Sequence, residues 1–139
     1  METPSSRMVL FVCVENTFRS VLSEAIFNAH APKGWRAESA GVRHASEINP
    51  VVSALLAEIG IRIEPKNPRI VTRELIERAR RVITFGCLNE CPVGAREKST
   101  DWPLPGATGK TPQELRAIRD ELSRRIAILI EELQEDSVR

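Results

Sequence analysis

Apolar residues run without a break from Met8 to Val12, and after Cys13 and a short polar stretch they give way to a helical rhythm at Val21, Leu22, Ala25, Ile26 and Ala29. The first pattern predicts a strand buried on both faces, and the second predicts a helix opening at Ser20 with one apolar side. The same succession then repeats. Pro32-Lys33-Gly34 is a turn signal, and Trp35 to Gly41 reads as a short alternating strand closed by Gly41. Asn49-Pro50 supplies a cap and a first-turn proline for a helix carrying Val52, Leu55, Leu56 and Ile59 on one face, with Gly60 ending it. Glu64 to Pro68 is too rich in proline for regular structure, and Thr72 caps a short helix through about Ala79. Arg81 to Gly86 reads as a second buried strand that delivers Cys87 at its end. Pro103 to Lys110 is loop, Thr111-Pro112-Gln113-Glu114 is a capping box, and Leu115, Ile118, Leu122, Ile126, Leu129, Ile130 and Leu133 stripe one side of a long final helix. Residues 1–6 and 135–139 are expected to fray.

Strands alternating with helices predict an α/β fold in one domain spanning residues 1–139, a length that supports a core without disulfides or metal. The formal net charge is +1, from Lys+Arg 20 against Asp+Glu 19, which gives no basic field for nucleic acid but is compatible with a small anionic ligand. No stretch approaches the roughly 18 to 20 apolar residues that span a bilayer, and the first residues lack the basic and apolar regions of a secretory signal. With an odd count of 3 cysteines, these features predict a cytoplasmic protein that keeps its thiols reduced.

The chemistry concentrates where the first strand meets the first helix. Cys13 ends the strand, Val14, Glu15, Asn16, Thr17 and Phe18 form the connection, and Arg19-Ser20 begin the helix, a C-x5-R-S arrangement. A loop of this length can curl its amides around one anion above a helix N-terminus, where unpaired N–H groups and the dipole favour negative charge. Arg19 can hold two oxygens in a planar fork, and the same field favours the thiolate of Cys13, set to attack the central atom of a bound oxyanion. In open α/β sheets strand ends line the ligand crevice, so Cys13 and Cys87 are expected on one edge of the molecule. Cys87-Leu88-Asn89-Glu90-Cys91-Pro92 is a C-x3-C pair that can be inert, metal-binding or redox-active. It falls short of the four ligands of a zinc site, so no metal is expected, and three thiols in series favour a disulfide relay.

Together, the Val9 to Ser20 segment, Glu38-Ser39-Ala40-Gly41, Val82 to Cys87 with Cys91-Pro92, and Asp101-Trp102 followed by Gly109-Lys110 resemble the thioredoxin-coupled arsenate reductases, which share the fold of the low-molecular-weight protein tyrosine phosphatases. The resemblance covers about residues 8–133. It implies a three-layer, doubly wound, four-stranded parallel sheet and reduction of arsenate to arsenite. Cys13 would be the nucleophile, Arg19 and the amides of Val14 to Phe18 would hold the oxyanion, Ser20 would hydrogen-bond the thiolate, and Asn16 would brace the loop. Cys87 would attack the cysteine–arsenic adduct and Cys91 would carry the disulfide outward to thioredoxin or a similar thiol reductant. No organic cofactor is implied, only a monovalent cation beside the loop near Asn16 and Ser39. The chain departs from the family pattern in having Glu15 where glycine is usual, with expected backbone strain, and Phe18 where a second loop cysteine is common. Gly106-Ala107 stands in place of an Asp-Pro acid, which leaves Asp101 as the nearest substitute carboxylate. That loss weighs against phosphate ester hydrolysis, where general acid help contributes about 10² to 10⁴-fold. The competing readings are a low-molecular-weight phosphatase and a non-catalytic oxyanion-binding or thiol redox sensor.

Overall fold

The computed structural model describes residues 7–87 and 98–138, so Cys91 and the frayed start expected at 1–6 lie outside the described residues. Strand β1 (Met8–Cys13), helix α1 (Arg19–His30), β2 (Arg36–Gly41), α2 (Val51–Ala57), α3 (Arg73–Arg78), β3 (Arg81–Thr84), β4 (Ser99–Asp101) and α4 (Pro112–Val138) follow in that order. The four strands form one parallel sheet in the order β2-β1-β3-β4.

Every residue of β1 is buried, which explains its unbroken apolar run. Val9, Phe11 and Cys13 face a layer built from α1, α2 and α4, while Met8, Leu10 and Val12 face Leu75 and Ile76 of α3 on the other side. Phe11 is the hub of the larger layer, edge-on to Phe27 and stacked on Phe85 at a centroid distance of 6.5 Å. The chain moves from β1 outward to β2, then returns across β1 to β3. The reversal point of the sheet therefore lies at the C-terminal end of β1, where open α/β sheets bind ligands and where Cys13 sits.

Local signals set the helix ends. α2 terminates in a left-handed cap, with Gly60 at φ 80°, Ile61 N donating to Leu56 O and Gly60 N to Ala57 O. Thr72 Oγ1 accepts from Leu75 N at the start of α3. At α4 the capping box closes both ways, Glu114 N to Thr111 Oγ1 and Thr111 N to Glu114 Oε1. Two features differ from the expectation. The final helix continues to Val138 instead of fraying from 135, since Glu131, Glu132, Gln134 and Glu135 are all good helix formers. β4 has no hydrophobic pattern of its own; it is a strand because Ser99, Thr100 and Asp101 pair with Val82, Ile83 and Thr84.

Candidate active site

At the C-terminal end of β1 the backbone turns through Val14 to Phe18 and enters α1. Asn16 makes the turn at φ 60°, a left-handed conformation that asparagine tolerates better than most residues. Among the described residues it is the one non-glycine with positive φ, so the backbone strain expected at Glu15 does not arise. Helix α1 begins with no side-chain cap at Phe18 and no acidic residue in its first turn, in contrast to the capped starts of α3 and α4. Its first amides are thus left for an anion.

Asn16 and Ser20 hold the Cys13 sulfur. Asn16 N donates to Cys13 Sγ at 3.3 Å, and Ser20 Oγ lies 2.9 Å from the same sulfur. A thiolate only accepts, so Ser20 then donates to it, while Asn16 Nδ2 fills the acceptor side of the hydroxyl at 2.8 Å. The Asn16 carbonyl oxygen accepts from Arg69 N at 3.0 Å, which ties the loop to the segment before α3. Asn16 and Ser20 are fully buried, and Cys13 is 3 % exposed.

Arg19 leans across the opening. Its Nη1 donates to Phe85 O and Leu104 O, and the guanidinium lies 5.9 Å from the Phe85 ring. Among the described residues both protein hydrogen bonds come from Nη1, which leaves the fork of Nε and Nη2 for a bound oxyanion. A cavity of about 300 Å³ opens here, walled by Cys13, Val14, Glu15, Thr17, Phe18 and Arg19, with Asn49 and residues 106–108 at its rim.

The sequence reading missed the part played by Gly41. A Cβ at this position would lie 2.6 Å from the Glu15 carbonyl carbon and 2.7 Å from Asn16 N, so only glycine lets the end of β2 approach the loop this closely. The signal available was a glycine closing the strand that pairs with β1, with Cys13 opposite Gly41. Arg69 was missed as well. Its side chain donates to Ser39 O and pairs with Glu38, so it clamps β2 while its amide holds Asn16. Burial alone would raise the Glu38 carboxyl, but hydrogen bonds from Arg69 and Arg36 outweigh it and hold the group below the ordinary glutamate value.

The remaining candidates separate into those at the pocket and those outside it. Asp101 is not among the residues that wall the cavity: its Oδ1 accepts from Thr84 Oγ1 at 2.6 Å and from Gly86 N at 2.7 Å, which fixes the turn after β3. Gly106 does overhang the site, since a Cβ there would sit 3.9 Å from the Arg19 guanidinium. No carboxylate side chain is present at that position. Cys87 is 1 % exposed in the layer opposite Cys13, on the loop after β3, and its Sγ donates to Val12 O at 3.3 Å. Near the expected cation position, Ser39 Oγ donates to Glu24 Oε1 at 2.5 Å, and Lys66 Nζ bonds to both Glu24 Oε1 and Ser39 Oγ. Among the described residues no group of three or more His, Cys, Asp and Glu is placed to hold a metal ion, and no helix is long and apolar enough to cross a membrane.

The family profile of the low molecular weight phosphotyrosine protein phosphatases matches residues 8–139. A putative arsenate reductase from Halobacterium salinarum is 28% identical, with 98% of this chain and 99% of that protein covered. Among solved structures, an arginine phosphatase from Geobacillus stearothermophilus superposes with a TM-score of 0.83 at 27% identity, covering 95% of this chain and 96% of that one. A thioredoxin-dependent arsenate reductase from Corynebacterium glutamicum gives a TM-score of 0.80 at 33% identity, covering 94% of this chain and 63% of that one.

Proposed function

Because the chain belongs to the low molecular weight phosphotyrosine protein phosphatase family, we propose that its cradle serves the reduction of arsenate to arsenite, with Cys13, Cys87 and Cys91 as a thiol relay closed by thioredoxin or a similar dithiol in a reducing, cytoplasmic setting. The observation that carries this reading is a second thiol on the loop after β3, packed against the strand that ends in Cys13. Cys87 Sγ is hydrogen-bonded to the carbonyl of Val12, the residue immediately before the nucleophile.

In the proposed cycle arsenate enters with its oxygens on the loop amides and on the Arg19 fork. The Cys13 thiolate attacks arsenic, a sulfur–arsenic bond forms, and one oxygen leaves as water after protonation. Cys87, as thiolate, attacks Cys13 Sγ; the sulfur–arsenic bond breaks with its electron pair on arsenic, which departs as arsenite, reduced by two electrons. The Cys13–Cys87 disulfide now holds the oxidising equivalents. Cys91 attacks Cys87, expels the Cys13 thiolate, and leaves a disulfide that an external dithiol reduces. Since Cys87 starts in the opposite core layer from Cys13, the segment after β3 must move for the second step, a conformational demand common in multistep enzymes.

The bare rim at Gly106-Ala107 supports arsenate over a phosphate ester. Expulsion of an alkyl or aryl oxide draws about 10² to 10⁴-fold from a general acid, whereas release of water from labile arsenate needs less. The phosphatase reading is supported by the family itself and by the fold of the arginine phosphatase. A steady-state assay with arsenate, thioredoxin, its reductase and NADPH separates the two. Arsenite formation that disappears in Cys13→Ser and in Cys87→Ser supports the reductase, aryl phosphate hydrolysis that survives Cys87→Ser and Cys91→Ser supports the phosphatase, and oxyanion binding with neither activity supports a sensor.

A further inference from the structure

We infer that the Lys66 ammonium is a built-in cation that braces the oxyanion loop, standing where a dissociable monovalent cation would otherwise sit. Ser39 and Glu24 present a hydroxyl and a carboxylate, the hard oxygen donors an alkali cation would use, and Lys66 Nζ is bonded to both. The Ser39 hydroxyl gives its hydrogen to Glu24 Oε1, so its lone pairs face the ammonium. Ser39 is fully buried, and the Lys66 and Glu24 side chains are 29% and 20% exposed, so both charges are partly shielded from bulk water. An ion from solution would have to displace a cation held on the same chain, at a high effective concentration, and take over its oxygens.

The position matters for the loop. Glu24 belongs to α1, which begins at Arg19, and Ser39 lies two residues before Gly41, whose missing Cβ admits the Glu15–Asn16 backbone. The Ser39 carbonyl accepts from Arg69 Nε, and Arg69 N donates to Asn16, which in turn bonds Ser20. Lys66 therefore pins the helix that follows the loop to the strand that supports it. It is a positioning residue that does not line the pocket.

The inference rests on the loop being an oxyanion cradle, not on arsenate being reduced, so the test reads binding and unfolding instead of turnover. Arsenate affinity by calorimetry and the thermal unfolding midpoint are measured in potassium, sodium and tetramethylammonium chloride at equal ionic strength. Wild type is expected to behave alike in all three salts. Lys66→Met is expected to bind arsenate about ten-fold more weakly in tetramethylammonium, the loss typical of a charge-assisted hydrogen bond, and to recover in potassium. Wild type that is stabilised by potassium, or a Lys66→Met variant that is unaffected in every salt, overturns the inference. Should Lys66→Met not fold, acylation of wild-type amines decides: Lys66 is expected to react more slowly than the exposed Lys33, and equal rates overturn it.

Discussion

An alanine at position 41 would carry its methyl carbon 2.6 Å from Glu15 C, 2.7 Å from Asn16 N and 3.0 Å from Glu15 Cα, all of them backbone atoms that no rotamer change can move. The same substitution at Gly106 meets nothing nearer than the Arg19 guanidinium at 3.9 Å, an ordinary contact. At position 41 something must shift. β2 is held in register with β1 and bridged to Ile70, and the loop is held at Asn16 by Arg69 and Ser20, so the cost falls on both. Overpacking of this kind costs about 1–3 kcal/mol. If the strand yields, the unfolding midpoint of a chain of this size drops by roughly 3–10 °C; if the loop yields, arsenate or phosphate binds about 5- to 150-fold more weakly. Thermal unfolding and calorimetric titration of Gly41→Ala and Gly106→Ala, run side by side, report both. A Gly41→Ala protein that matches wild type in stability and in oxyanion affinity would refute the claim that this approach shapes the cradle.

Ser20→Ala removes the hydroxyl beside Cys13 Sγ and strands the buried Asn16 Nδ2. With about 1.5–3 kcal/mol for a hydrogen bond to a charged group, alkylation of Cys13 by iodoacetamide should slow by an order of magnitude or more, and an unchanged rate counts against Ser20 as its donor. Thr111→Ala opens the capping box of α4 and should cost about 1 kcal/mol of stability while leaving the Cys13 alkylation rate alone; a fall in that rate would show that α4 and the site are coupled. The Glu38 carboxyl is held below its ordinary value in the folded protein, so its stabilisation is present above the unfolded-state value and is lost as pH falls through the folded-state value. The acid limb of the stability–pH curve should flatten in Glu38→Gln, by an amount reduced by solvent screening, and identical limbs would contradict the clamp between Glu38 and Arg69.

The parts of this molecule legible in the sequence are those encoded locally. The unbroken run ending at Cys13, the cap signals at Thr72 and Thr111 and the glycine stop at Gly60 each act within a few residues, and each element stands close to where its pattern placed it, although α2 ends at Ala57 and leaves Ile59 exposed. Long-range pairing was not legible. Among the described residues β4 pairs with β3 and with no other strand, and Asp101, the nearest carboxylate by sequence, is drawn off by Thr84 and Gly86. Gly41, Arg69 and Lys66 reach the cradle from 28, 53 and 27 residues away from their partners Cys13, Asn16 and Ser39, contacts that hydrophobic periodicity does not encode.

The relay is tested most directly by a peptide map of the Cys91→Ser protein after anaerobic reaction with arsenate in the absence of thioredoxin. The expected result is one arsenite released per chain and a disulfide joining Cys13 to Cys87, because the second thiolate has attacked and nothing remains to resolve the bond. Arsenite released with Cys13 and Cys87 both still reduced, or with Cys13 bonded to some other partner, would contradict it.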